Sequence, residues 1–449
     1  MSKVRAKGTS RLLSQSGESL TPSSYSLHYV KIKSNKPVNG NDVFDITNLV
    51  RSFEIEENIY NPFLQVIIKI NDATNLIESL KLIGNEDIEM LIKRTPKKES
   101  SQDKAKWELK LKVAEIFGYV KSLGTKQSYS LRCVSKQLYN NEAKVLQRPF
   151  QNTIGKLIKD IVDKDLKVEK SDIDTTSKGI VKGIYPTLKP LSAANWLLRN
   201  ASDDGTQFFF YESVVDGLRL KSYKTLLKED EYDFYEFRPT FKYELGSPES
   251  YDEVRRRIRN VLGVDGQSKL TQLSNGTYGS TLYTLDIAEK KYEKFLFNYE
   301  NKPLEKLEKF KPFSNEDKIL DQKYSDLKNA RHHYVSLNTG LYDGFDNYHQ
   351  PTQPTLLKQM AQVSGLSDQL LEIVIPGDFD LCVGKKIKIN IVKSGDTESL
   401  EESTMIDKQI SGKYLITRIK NDFSTEFVQS LLLQRDSLGV DVDAWWFFK

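Results

Sequence analysis

The chain has 449 residues, 38% of them hydrophobic and 10% aromatic, which is enough to bury real cores in a chain of about three domains. Lys and Arg number 66 against 62 Asp and Glu, a formal net charge of +4. A dedicated nucleic-acid binder needs a more concentrated basic excess for its phosphate contacts.

Further exclusions follow from the residues themselves. Cys133 and Cys382 are the two cysteines, far apart and each within an apolar, strand-like run. Buried free thiols in a reducing compartment are expected. No apolar run approaches about 18 residues, so no membrane-spanning helix is expected. The N-terminus shows no signal-peptide apolar core, and the expectation is a large soluble protein made in cytosol.

Residues 1–23 are Ser-rich and without periodicity, and read as a flexible arm. Alternation begins at "LHYVKIKS", where Val30 and Ile32 share one face, and continues in "SFEIEEN", where Phe53 and Ile55 alternate with Glu54 and Glu56. One face is wet, which suits antiparallel pairing. In "NPFLQVIIKINDATNLIESLKLIGNEDIEMLI" (61–92), Leu64, Val66, Ile68 and Ile70 form one apolar face. Asp72 is placed to accept from the free amides of a following first turn. Leu76, Leu80 and Ile83 recur at helical spacing, Gly84 offers a left-handed stop, and Ile88, Met90 and Ile92 resume period two. This predicts a sheet curled over one short helix. After a charged loop (95–106), Trp107, Leu109, Leu111 and Val113 alternate with charged residues, as Tyr129, Leu131 and Cys133 do with polar ones. Residues 24–138 thus have the size of a small barrel or sandwich.

The pattern then changes. Ile154, Leu157, Ile158 and Ile161 mark one helical face, and "LSAANWLLRNAS" predicts a second helix with Ser192 as a possible cap. "GTQFFFYES" and "DGLRLKSY" predict a hairpin through Val-Asp-Gly, so 139–235 reads as a mixed α/β domain. Strands resume at "FRPTFKYEL", "STLYTLDIA" and "KFLFNYE", separated by "SPESYDEVRRRIRNVLG", a helix or a long polar connection. Residues 301–355 are polar and poorly periodic, an irregular insertion. A short helix, "TLLKQMAQVSG", precedes four strands in "QLLEIVIPGD", "KKIKINIV", "KYLITRIK" and "EFVQSLLLQRD". Those strands complete a second sheet begun near 236. No literal repeat is visible, so any duplication rests on the order of elements.

Few residues invite a chemical role. His332, His333 and His349 with Asp343 or Asp346 match no zinc or calcium spacing, so loop histidines are the default and no metal or cofactor is expected. Arg255, Arg256, Arg257 and Arg259 read as a solvated surface or a contact to acidic protein, with a passing polyanion as the other reading. The aromatic terminus "AWWFFK", with Trp445, Trp446, Phe447 and Phe448, either folds back on its own domain or inserts into a partner. There is no G-x-x-x-x-G-K-[ST], no G-x-S-x-G and no H-E-x-x-H, and no catalytic residue is assigned.

The succession of "DITNLVRSFEIEENIYNPFLQVIIKINDATNLIESLKLIGNEDIEMLI", "KPLSAANWLLRNASDDGTQFFFYES" and "IPGDFDLCVGKKIKINI…GKYLITRIKNDF…FVQSLLLQRD" resembles the central baseplate hub protein of contractile-tailed bacteriophages. It is also similar to the hub portion of type VI secretion spikes. The resemblance spans roughly 25–437 and lies in pattern and order. It implies a mainly β chain with an α+β insert: a first tail-tube-type antiparallel β-barrel at 24–138, the mixed α/β domain at 139–235, and a second barrel at 236–300 and 356–437. The insertion at 301–355 and the aromatic tail at 438–449 have no counterpart. It further implies a homotrimer making a pseudo-sixfold ring that joins the hexameric tail tube, or a tube-initiator protein, to a trimeric spike protein. Baseplate wedge proteins would surround it, DNA would cross its channel without specific binding, and the protein would sit in the virion tail after assembly in the host cytoplasm. Strands with one apolar and one Lys/Glu-rich face fit such a wall, and closed symmetry would bury strand edges that otherwise invite uncontrolled pairing. The alternative is a tail-associated peptidoglycan- or polysaccharide-processing enzyme, whose sugar groove the 22 Tyr and 21 Phe could line.

Overall fold

The computed structural model describes residues 23–38, 41–94, 105–121, 126–175, 179–199, 201, 206–237, 251–266, 269–287, 290–300, 304–314, 317–337, 353–393 and 406–439. Trp445, Trp446, Phe447, Phe448, His349, Asp343 and Asp346 lie outside these residues, as does the N-terminal arm up to Pro22.

The first module holds β1 (Tyr25–Val38), β2 (Asn41–Asp45), β3 (Val50–Asn58), β4 (Gln65–Asp72), α1 (Leu76–Ser79), β5 (Asp87–Arg94), β6 (Lys106–Lys121) and β7 (Gln127–Ser135). Its period-two residues do what the pattern predicts: Val66, Ile68, Ile88, Met90, Leu131 and Cys133 are fully buried in one core. Asp72 accepts from the amides of Thr74 and Leu76, each at 2.7 Å, and so satisfies orphan donors of the first helical turn. The helix itself is shorter than its spacing suggests. Lys81 adopts a left-handed conformation at φ 52°, the chain turns away, and Ile83 is left 72% exposed. The buried Glu86 carboxylate takes over, accepting from the amides of Ile83, Gly84 and Asn85 at 2.7–3.1 Å.

The middle region holds α2 (Lys136–Glu142), β8 (Pro149–Asn152), α3 (Ile154–Asp160), a π-helical turn (Ile161–Leu166), β9 (Ser171–Ile173), β10 (Val181–Ile184), α4 (Pro190–Leu198), β11 (Phe208–Ser213), β12 (Gly217–Ser222) and α5 (Tyr223–Lys228). Ile154, Leu157, Ile158 and Ile161 share one core with the buried face of α4. Ser192 lies inside α4 rather than capping it, because Pro190 occupies the first turn, where its fixed φ is pre-organised. The hairpin β11–β12 forms as predicted, and Gly217, at φ +76°, leaves no room for a Cβ, which would fall 2.5 Å from the Lys170 carbonyl.

The rest comprises β13 (Glu231–Phe237), α6 (Tyr251–Arg256), β14 (Asn260–Gly266), α7 (Lys269–Asn275), β15 (Gly279–Asp286), β16 (Lys291–Asn298), the short pair β17 (Lys318–Ile319) and β18 (Gln322–Lys323), β19 (His332–Leu337), α8 (Gln353–Leu366), β20 (Gln369–Pro376), β21 (Lys386–Ile391), β22 (Gly412–Phe423) and β23 (Phe427–Arg435). The expectation that the strands near 280–300 belong to the second barrel is corrected here. β15 pairs with β16 and, in parallel, with β19, a strand drawn from the stretch expected to be irregular. The reason is local burial: Leu282 and Phe297 pack on Leu357 and Ala361 of α8, away from the large sheet.

The large sheet contains an internal duplication. The first module runs β1-β5-β6-β7-β4-β3 by strand pairing, and the second runs β13-β21-β22-β23-β20-β14. With β2 and the small-sheet strands β15–β19 set aside and the rest numbered by order in the chain, the two sequences of strands are the same. In the β4–β7 and β20–β23 pairs the registers agree: Cys133 pairs with Val66 and Leu131 with Ile68, while Leu433 pairs with Leu371 and Leu431 with Ile373. Both long strands are bulged at the same step, between Val113 and Glu115 in β6 and between Ile416 and Arg418 in β22, and β6 has a second bulge, between Phe117 and Val120, that β22 lacks. One departure stands out. β1 lies antiparallel to β5, whereas β13 lies parallel to β21.

Candidate interaction surfaces

The two modules are joined edge to edge. The first half of β22 pairs with β21, and beyond its bulge the same edge pairs with β3, from Arg418 opposite Asn58 to Phe423 opposite Phe53. Under this joint lies an aromatic cluster. Phe423 stacks on Phe427 at 4.1 Å and on Phe53 at 4.5 Å, and Trp107 packs beside Phe379 while donating its indole N–H to the Phe379 carbonyl at 2.9 Å. Offset aromatic pairs of this kind add to the area they bury. Gly377 is required here, since a Cβ would fall 2.1 Å from the Phe427 ring.

Polar groups complete the joint. Asp378 accepts from Arg94 at 3.3 Å, Arg255 at 2.9 Å and Tyr232 at 2.8 Å. Arg256 reaches Asp233 at 3.0 Å, with Arg255 on the other oxygen of that carboxylate, and Arg259 pairs with Glu426 at 2.9 Å. The arginine run expected on a solvated surface is therefore largely engaged within its own chain. Glu57 is fully buried at the joint, where it accepts from the Val383 amide at 3.4 Å, the Asn421 amide group at 3.3 Å and the Val214 backbone. Burial pushes its carboxyl up to about 8. Cys382 is buried, as expected, but lies in the loop between β20 and β21 rather than in a strand. Burial raises both thiols above their ordinary range, which makes them poor nucleophiles.

The wet face of the sheet is continuous across the joint. Glu54 pairs with Lys69 at 2.6 Å and Lys420 at 2.9 Å, and Glu56 with Arg418 at 2.8 Å. Charges on this wall are balanced by their neighbours. A second face is apolar: Tyr283 stacks on Tyr334 at 5.1 Å and Tyr292 at 5.9 Å, and Leu285, Tyr292 and Tyr334 are exposed on the small sheet opposite α8. His332 joins this ladder, stacked on Tyr283 at 5.7 Å, whereas His333 lines a groove with Arg199, Arg331, Tyr60 and Met360. Among the described residues no group of three His, Cys, Asp or Glu could hold a metal, and no helix is long and apolar enough to cross a membrane.

Among the strand edges of the large sheet left open by the described residues, two belong to β6 and β14. β5 accompanies β6 only as far as Lys112, so from Glu115 to Lys121 that edge is unpaired. β14 pairs with β20 alone. The sequence held a signal for the first edge: a run of sixteen residues facing one of eight must outlast its partner.

No protein-family model and no curated protein sequence matches the chain. Among solved structures, the tail protein from Neisseria meningitidis MC58 matches with a TM-score of 0.52 at 12% identity, over 93% of this chain and 99% of that one. A tail protein of prophage MuSo2 from Shewanella oneidensis matches with a TM-score of 0.48 at 8% identity, over 92% and 100%. A type VI secretion component from E. coli gives 0.42 at 10% identity, over 92% and 77%. The Neisseria match carries the assignment: in fold, mainly antiparallel β around one large sheet, this chain is similar to a tail protein.

Proposed function

We propose that the chain is a structural baseplate hub protein of a phage tail. Three copies close into a ring of six similar modules around a channel, seated on the hexameric tail tube or its initiator on one side and carrying a trimeric spike on the other. Wedge proteins flank it, and it assembles in the host cytoplasm before taking its place in the virion. One observation carries this reading. A single polypeptide already holds two modules of the same strand order side by side in one sheet, the repeat unit from which a threefold assembly can present sixfold contacts. The paired charges on the wet face support passage of DNA without specific binding, because Lys69, Lys420 and Arg418 there are already met by Glu54 and Glu56. The work assigned to the chain is geometric rather than catalytic, and Trp445, Trp446, Phe447 and Phe448 are assigned to a neighbouring tail protein.

The test is the mass of the purified chain in solution, with end-on electron micrographs and a cell-wall turbidity assay. A trimeric ring without lysis is expected. A lytic monomer would overturn the reading.

A further inference from the structure

A groove of about 780 Å³ opens where the middle region meets α8 and the small sheet, within the size range of ligand clefts. Its floor is apolar. Met360 and Val363, neighbours on one face of α8, are 40% and 38% exposed, and Tyr60 is 48% exposed. The Tyr60 ring meets Phe209 edge-on at 5.9 Å and its hydroxyl donates to Gln434 at 3.1 Å, so it is held as part of the groove.

Two guanidiniums stand at this floor. Arg199 follows the end of α4 and Arg331 precedes β19. Both are exposed, neither is met by an acid among the described residues, and no described aspartate or glutamate lines the groove. Arg255, Arg256 and Arg259, by contrast, are each met by a carboxylate. His333 registers the same deficit: burial, then the charges of Arg331 and His332, hold its imidazole below the ordinary value. The third wall is a strand edge, since β11 pairs with β12 alone. The Gln207 carbonyl accepts from the Tyr223 amide at 2.7 Å, on the β12 side, whereas the Glu212 amide donates to the Asn61 carbonyl at 3.2 Å, on the other. Main-chain groups alternate sides along an antiparallel strand, so those of Phe208 and Phe210 also face away from β12. Both residues line the groove.

We infer that the groove takes an extended acidic peptide from a partner protein, with its main chain along β11, apolar side chains on the α8 floor and carboxylates at Arg199 and Arg331. The three features select this class together. A fatty acid brings apolar bulk and a carboxylate but nothing for the strand edge. Single-stranded DNA satisfies the guanidiniums but has no row of amides and carbonyls to match β11. In strand addition the main-chain bonds supply affinity and the side-chain pockets supply the choice of sequence. The assignment uses no property of the ring and stands or falls apart from it.

The test uses the full chain and a fluorescein-labelled peptide of alternating Glu and Leu, read by fluorescence anisotropy. Saturable binding is expected. It should weaken about tenfold or more on Arg199→Glu/Arg331→Glu, on replacing Glu by Lys in the peptide, and on N-methylating alternate peptide amides. Both arginines are exposed, so the charge reversal should leave the far-ultraviolet circular dichroism unchanged. No binding, or binding that survives the charge reversal, overturns the site. Equal binding of the N-methylated peptide overturns the strand addition. Tighter binding of oligothymidylate, lost on the same charge reversal, overturns the peptide in favour of nucleic acid. Peptide binding that appears only in Trp445→Ser/Trp446→Ser gives the groove to residues 440–449 of the chain itself and overturns the partner.

Discussion

Glu57 offers the sharpest energetic test of the joint between the modules. Its carboxyl is fully buried where β3 meets β22, and hydrogen bonds from Val383, Asn421 and Val214 only partly offset the loss of water. In the unfolded chain it ionises near 4.5, and in the folded chain at about 8. The folded state therefore holds the proton more tightly. The contribution to stability is fully present below 4.5 and is lost as pH rises through 8. Each pH unit between those values is worth about 1.4 kcal/mol, so wild type should lose about 3–4 kcal/mol between about pH 5 and pH 8 from this group. Glu57→Gln keeps the shape and a hydrogen-bonding end but removes the titration. Urea unfolding of both proteins across that range isolates the effect, because all other groups are shared. The difference in stability between variant and wild type should grow with pH by about 3–4 kcal/mol. Two curves that stay parallel within about 0.5 kcal/mol would refute the burial argument.

Two further substitutions probe the same region. Gly377→Ala drives a methyl group into the Phe427 ring and should cost about 1–3 kcal/mol by thermal unfolding, with partial recovery on adding Phe427→Leu; no loss would place the loop elsewhere. Arg255→Ala removes one of the two guanidinium partners of the buried Asp378 and should cost about 2–3 kcal/mol in denaturant unfolding, whereas a stripe held out for solvent would lose almost nothing.

What could be read in advance followed the range of the forces involved. Strand faces such as Val66, Ile68 and Ile70 were legible because burial on a pleated sheet repeats every second residue. The helix face of Ile154, Leu157, Ile158 and Ile161 was legible for the analogous reason. The clasping helix ended early because a left-handed Lys81 and the Glu86 carboxylate, neither of them periodic, decide where the chain turns. β19 was hidden because its outward residues, His332 and Tyr334, belong to an exposed aromatic ladder, which blurs the alternation of polar and apolar positions. The arginine run misled because Asp378 lies 123 residues from Arg255, and no local pattern announces a distant partner. The duplication was invisible as letters. Leu371, Ile373 and Ile375 mirror Val66, Ile68 and Ile70 in spacing, but two three-residue apolar patterns are indistinguishable from chance until their pairings are known.

The joint between β3 and β22 has a kinetic consequence. Its two strands are tethered by one backbone, so they meet at any dilution and need no second molecule. Each newly folded protomer thus emerges with the spacing and tilt of neighbouring modules already fixed, a ruler against which the next protomer is measured.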